Sequence, residues 1–338
     1  MSTERSLESL LRDKATAPDC QQCTLWTNYT ATKNHLAQYY YPWVQANAPW
    51  FTDHGQKHVD SVIHTAGQLL SAFPESALSC LDLYILLTAT IWHDVGIVCG
   101  RAGHAREVQQ FIDKVREFCF LDPALYRLVC QVVRAHSGRE GWSSLQSSEP
   151  VTACTHKTCT VYPQSIAALL RFADDASETR TRISPPLLES VPIQQRIYWA
   201  YAHSITASKP EPEPARKRLL LAIELQRAAA TERFPCPRDY LVRADKSKRI
   251  SLIEYLVCRL ERMNNERAYC FPYLTRYADI RTIEVRIQVC HGTDSESIED
   301  IVLGDGGLSQ SAYPAIPLFD RFFEAHPQLT PSRLEGGT

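Results

Sequence analysis

A chain of 338 residues with 44% hydrophobic and 22% charged residues has the composition of a globular protein that can bury a substantial core, as one large domain or up to two ordinary ones. Its formal net charge of −2 supplies no global basic field, which argues against long nucleic acid as a partner. No apolar run reaches the roughly 18–20 residues of a spanning helix, and the charged start MSTERSLESLLRDK lacks the pattern of a signal peptide, so a soluble cytoplasmic protein with no membrane partner is expected.

Residues 1–30 read as a short helix followed by a polar loop containing Cys and Thr. Lys33 to Ala46 reads as a helix rich in Tyr and Trp that ends before Pro49. In FTDHGQKHVDSVIHTAGQLL, Asp53 is a credible N-cap, and His58, Val59, Val62, Ile63, Ala66, Leu69 and Leu70 follow helical spacing. His54 and His58 are four apart and share a face if the helix has begun at Asp53. Leu78 to Trp92 is apolar nearly all round, the mark of a central buried helix, and it runs into the adjacent pair His93 and Asp94. His104 opens a helix to Phe120, with Val108, Phe111, Ile112 and Val115 inward. Pro123 opens the next, on which Leu125, Val129, Val132 and His136 share a face. Residues 137–163 are a polar loop long enough to suggest a lid or an active-site wall. Pro163 then starts a helix carrying Ile166, Leu169, Leu170, Ala173 and Asp174.

The character changes after Val191. RIYWAYAHSITAS and KRLLLAIELQR alternate in part and read as strands joined by the Pro-rich KPEPEPAR, IRTIEVRIQVC reads as a third strand, and Ile250 to Met263 is an amphipathic helix. The expected architecture is mainly α. N-terminal helices over 1–50 lead into a helical bundle over 51–190, followed by a smaller α+β accessory unit over 191–295 and a C-terminal segment over 296–338. The twelve cysteines are scattered, and Cys80, Cys119, Cys130 and Cys258 sit in apolar patterns as small buried hydrophobes. Cys20 with Cys23, and Cys154 with His156 and Cys159, are two short clusters that together could form a structural zinc site. A loop with unused thiols is the simpler reading of them.

His58, His93, Asp94, His104, His136 and Asp174 each lie on, or at the end of, an apolar segment. A buried ionised carboxylate is costly unless it is paired or bound to metal. Imidazoles and carboxylates directed inward from several helices describe a metal site in the core of a bundle. The donors are nitrogen and oxygen without thiolate, which disfavours structural zinc and favours Mn, Fe, Mg or catalytic Zn.

The order H…HD…H…H…D, with HDVG after an apolar helix and LLRFADDASETR at the far end, resembles the HD phosphohydrolase superfamily. The pieces RAHSG and RFADDASETR look like those of its diadenosine-polyphosphate hydrolase branch. FTDHGQKH, WHDVG and GRAGH look most like the HD domains attached to prokaryotic conflict systems and effectors. The likeness covers residues 50–182 well and the following α+β unit more weakly. It implies that His58, His93, Asp94 and Asp174 hold one metal, with Asp174 preferred to Asp175. His104 and His136 occupy the places of the extra histidines of two-metal branches. The implied cofactor is a divalent metal, two ions by that pattern, as Mn or Fe, with Mg, Zn or Ni as alternatives.

The implied activity is hydrolysis of a nucleotide phosphoester or phosphoanhydride by a metal-activated hydroxide, with Asp94 as the bridge. His54 is spaced like a histidine that serves as general acid in cyclic-nucleotide phosphodiesterases, and a structural role for it is equally open. Several two-metal branches carry a lysine after the glycine of the HD motif, where this chain has Ile97. Arg101, Arg139, Arg180 or Arg182 are then the candidates for phosphate contacts. Two other readings compete with the enzyme. One is a nucleotide-sensing or partner-binding module that turns over slowly or not at all and engages a protein through the α+β unit. The other is a single-strand nuclease with a local basic groove. A homo-oligomer is compatible with each.

Overall fold

The architecture is organised around the apolar run before His93. The computed structural model describes residues 6–17, 24–71, 78–100, 104–115, 122–136, 145, 154–156, 159–210, 217–237, 249–291, 294–297, 301–304 and 318–336. Helices α1 (Leu7–Ala15), α2 (Thr24–Tyr39), α3 (Tyr41–Asn47) and α4 (Gln56–Ser71) precede the central helix α5 (Cys80–Trp92). Then follow α6 (His104–Val115), α7 (Pro123–Ala135), the antiparallel pair β1 (Cys154–His156) and β2 (Cys159–Val161), and α8 (Pro163–Ala176).

Helix α5 starts with a capping box: the Ser79 hydroxyl accepts from the Asp82 amide while the Asp82 carboxylate accepts from the Ser79 amide. Every residue from Leu81 to Trp92 is buried, and α1, α2, α4, α7 and α8 pack around it. Continued through the following turn, Cys80–Cys99 is a 20-residue stretch of mean hydropathy 1.4, long and apolar enough by those measures to cross a membrane. This corrects the expectation that no such run exists, because the two carboxylates, Asp82 and Asp94, do not bring so apolar a stretch below that measure. Of its most apolar window, 94% is buried inside the fold, as suits the core helix of a bundle.

The C-terminal part begins with α9 (Ile193–Ser204) and β3 (Ile205–Pro210), then β4 (Arg218–Gln226), α10 (Arg227–Thr231), β5 (Arg233–Pro235) and β6 (Arg249–Ser251). The long α11 (Leu252–Leu274) is followed by β7 (Thr282–His291), β8 (Asp294–Ser297), β9 (Ile301–Leu303), α12 (Leu318–Ala325) and α13 (Pro331–Gly336). β3 and β4 pair antiparallel, β4 and β7 parallel, and β8 and β9 share the far edge of β7. The fold is mainly α with this small sheet unit after the bundle, and one apolar cluster of core residues includes both Leu7 and Leu334.

Two element expectations are corrected. Residues 196–204 are helical, not a strand. Ile197, Tyr201 and Ser204 are buried at helical spacing, so packing overrides the β-preference of the Tyr and Trp residues. The single helix expected over 33–46 is two helices, with Pro42 early in the second, and the first begins in what reads as polar loop. Cys20 and Cys23 lie outside the described residues, as do the side chains of Cys154, His156 and Cys159.

Helix α11 opens with its own capping box, Ser251 with Glu254, and packs along α8. Between them lies a buried ion pair. Arg171 of α8 donates from Nε to Glu266 Oε2 at 2.6 Å and from Nη2 to Oε1 at 2.9 Å. A third donor, Nη1, reaches the carbonyl of Ala135 at the end of α7 at 3.3 Å. Removing one partner leaves a buried charge without compensation. Glu266→Leu is expected to cost about 3–5 kcal/mol, and adding Arg171→Met to recover most of it. Urea denaturation of the single and double variants checks this, and a double variant no more stable than the single would refute it.

Candidate metal centre

Five helix ends deliver the clustered side chains. His58 projects from α4. His93 is the C-cap residue of α5, and Asp94 follows it into the 3-10 turn Val95–Cys99. His104 begins α6, His136 caps the C-terminus of α7, and Asp174 lies in the last turn of α8. His58, His93, Asp94 and His136 are buried, and His104 and Asp174 are partly so.

The centre is built on the two oxygens of Asp94. Oδ2 lies 3.4 Å from His58 Nε2 and 3.2 Å from His93 Nε2. Oδ1 lies 3.3 Å from His104 Nε2 and 3.9 Å from His136 Nε2. Within each histidine pair the Nε2 atoms are 3.2 Å apart. Asp174 Oδ1 completes the first group, 3.1 Å from His58 Nε2 and 3.8 Å from His93 Nε2. Two donor sets, His58–His93–Asp94 and Asp94–His104–His136, thus share one carboxylate, and each can hold a metal ion.

The hydrogen bonds behind the rings determine which nitrogen is available. His93 Nδ1 lies 2.6 Å from the Thr90 carbonyl, and His136 Nδ1 lies 2.5 Å from that of Val133. A carbonyl only accepts, so each Nδ1 carries the hydrogen and the neutral ring turns its Nε2 lone pair to the centre. His58 Nε2 and His104 Nε2 lie 3.2 Å from these two nitrogens, a distance that needs a proton or a cation between each pair. The donor set therefore fits a divalent metal.

The same geometry governs protonation in the metal-free protein. Burial alone would lower the His93 pKa, but the neighbouring Asp94 and then Asp174 carboxylates outweigh it and hold it up at about 9. Burial, with repulsion from His93 and His104, pushes His136 down to about 3. Burial opposes ionisation of Asp94 and Asp174, yet the imidazoles around them hold both below the usual carboxylate range. Asp175 goes the other way, raised by burial against the pull of Arg259 and Arg262.

Gly96 sets how closely the HD turn meets α6. A Cβ on it would stand 1.9 Å from the His104 carbonyl oxygen and 2.7 Å from its carbonyl carbon. Only glycine permits that contact.

A cavity of about 140 Å³ opens onto the centre. Asp94, His104, His136 and Asp174 line it together with His54 and Ile97, so the position after the HD-motif glycine adds apolar surface there rather than a cation. His54 precedes α4 instead of riding on it. Asp53 does not cap that helix: its Oδ1 accepts from the Gly55 amide at 2.6 Å, a local turn that delays the helix to Gln56. His54 Nδ1 bonds to the Thr52 carbonyl.

The expected phosphate contacts fare differently. Arg180 is exposed, 3.9 Å from Glu224, and is not part of the cavity wall. Its neighbour Arg182 is in the wall, but Nε and Nη2 donate to the Asp53 carbonyl at 3.0 and 2.8 Å and Nη1 to Glu178 at 3.1 Å, which fastens the His54 loop. Arg101 and Arg139 lie outside the described residues. Sequence reading missed the rest of the wall: Gln195, Tyr198 and Tyr201 from α9 and Tyr255, Arg259 and Arg262 from α11. The available signal was the 4-3-4 spacing of Tyr255, Arg259, Arg262 and Glu266, which puts large polar groups on one stripe of an amphipathic helix.

A helical bundle that converges H…HD…H…H…D side chains on one carboxylate defines an HD-type domain. The HD-CE family model matches residues 48–246, more than half of the chain, and the protein belongs to that family. No curated protein and no solved structure matches it.

Gly96→Ala is expected to push the α6 terminus from Asp94 and to destabilise the fold by about 1–3 kcal/mol. Metal bound per chain should fall through loss at the His104–His136 group. Metal analysis by mass spectrometry beside a thermal melt checks this, and full metal content in the variant would contradict it.

Proposed function

We propose that the chain is a metal-dependent phosphohydrolase or phosphodiesterase that acts on a nucleotide phosphoester or phosphoanhydride. The observation that carries this reading is the shared carboxylate: each oxygen of Asp94 faces its own pair of imidazole nitrogens. His58, His93, Asp94 and Asp174 would hold one divalent ion and Asp94, His104 and His136 the other, as Mn or Fe. Ions held there would lower the pKa of bound water and neutralise charge on phosphoryl oxygens.

The residues of the chain contribute orientation and proton handling. The carbonyls of Thr90 and Val133 hold His93 and His136 in one tautomer. His54, in the cavity wall and fastened by Arg182 and Thr52, is the candidate to give a proton from Nε2 to the leaving oxygen. The cavity wall formed by α9 and α11 also supports a second reading, a nucleotide sensor in which the C-terminal unit feels the ligand and turnover is slow.

Protein purified without chelator should carry about two ions per chain and hydrolyse nucleotides in a screen with added Mn or Fe. Asp94→Ala should abolish both properties. Tight metal and nucleotide binding with no multiple turnover would favour the sensor, and absence of metal after reconstitution would overturn both readings.

The pH dependence follows from His93. Its metal-free pKa of about 9 means that a proton must leave before Nε2 can ligate. His136, at about 3, is already neutral near neutrality. Apparent metal affinity should therefore rise from about pH 6 to about pH 9, and loading should release protons throughout that range. Calorimetry in buffers of different ionisation enthalpy measures the release, and a pH-independent affinity would show that His93 does not ligate.

A further inference from the structure

The cavity wall carries four carboxylates, Asp94, Asp174, Asp175 and Glu178, and three guanidinium groups, Arg182, Arg259 and Arg262. Two of the three cations are engaged. Arg182 holds the Asp53 carbonyl and Glu178. Arg259 lies 3.6 Å from Asp175 and 3.8 Å from Glu178, with its guanidinium over the Tyr201 ring. Arg262 makes no hydrogen bond, and no ion pair within 4.0 Å, among the described residues. It is half-buried and lies in the same wall as the donors of the metal centre.

We propose that Arg262 is the anion anchor of this cavity and grips a phosphate group of the substrate through its guanidinium fork. The proposal rests on the reading of the site as a phosphate-hydrolysing centre and names the residue that holds the anion. A planar guanidinium with paired donors matches phosphate oxygens in two parallel hydrogen bonds, which a lysine cannot reproduce. A half-buried guanidinium whose donors bond to none of the described residues gains most from such a ligand.

The position of Arg262 is well supported. Tyr255, Arg259, Arg262 and Glu266 lie on one stripe of α11, and Glu266 is clamped bidentately by Arg171 one helical turn from Arg262. Arg171 is on α8, three residues before Asp174. The anchor and a ligand helix are thus tied through a buried ion pair. Arg262 lies beyond residue 246, where the family match ends, so this chain adds the anchor from outside the matched segment.

The test measures binding of inorganic pyrophosphate to the Mn-loaded full chain by calorimetry, with metal content determined on the same samples. Arg262→Gln is expected to weaken binding about 10- to 100-fold with metal per chain unchanged, Arg262→Lys to recover part of it, and Arg180→Gln, outside the cavity, to match wild type. Equal pyrophosphate affinity in wild type and Arg262→Gln overturns the proposal. If wild type takes up no metal, the hydrolase reading fails separately, and the anchor is then judged on the metal-free protein. Arg262-dependent pyrophosphate binding there supports it, and binding that is absent or independent of Arg262 overturns it.

Discussion

Everything in the bundle answers to one electrostatic demand: a carboxylate, Asp94, sits in the core with two pairs of imidazole nitrogens turned toward it. Burying an ionised carboxylate is expensive unless opposite charge compensates it. Helix termini sharpen that demand. α5, α7 and α8 all bring their C-terminal ends to the centre, where His93, His136 and Asp174 reside. The negative end of a helix dipole favours positive charge, and three of them together favour a cation. The carbonyls of Thr90 and Val133, left over at those ends, take up the Nδ1 hydrogens and turn the opposite nitrogens inward. One set of helix terminations thus solves the capping of the helices and the orientation of the donors together.

This also explains which parts were legible from residues alone. The clustered side chains at helix ends follow apolar stripes, so the periodicity of 78–92, 123–136 and 163–174 led directly to His93, His136 and Asp174. The bundle and its order of elements were readable for the same reason. The start of α4 was not, because Asp53 can cap a helix or close a short turn, and only the neighbouring chain chooses between them. The turn won here, with Arg182 pinning the Asp53 carbonyl from a distant segment. α9 was misread because Tyr and Trp fit a pleated surface in isolation, whereas its burial is set by the elements packed on it.

The arginines illustrate the same limit more sharply. RFADDASETR puts Arg180 and Arg182 close to Asp174 in sequence, and proximity along the chain is all that a sequence displays. In space, one faces solvent and the other braces a loop. The other two cations of the cavity wall, Arg259 and Arg262, come from α11, far along the chain, in a helix whose polar stripe reads locally as an ordinary solvated face. Contact between α8 and α11 is a tertiary fact with no local signature.

That contact changes what counts as the functional unit. Residues 48–246 contain the converging His and Asp side chains, but not Tyr255, Arg259, Arg262 or Glu266. Without α11, Asp175 would lose the cation beside it, and Arg171, buried next to the α7 terminus, would lose both carboxylate oxygens. An unpaired charge in that position works against the packing of α7 and α8, the two helices that present His136 and Asp174. The sheet unit is therefore more than an appendage. Its long helix closes the cavity and supplies the counter-charges that let the helices bearing His136 and Asp174 sit where they do, so the centre and the C-terminal unit depend on one another for their geometry.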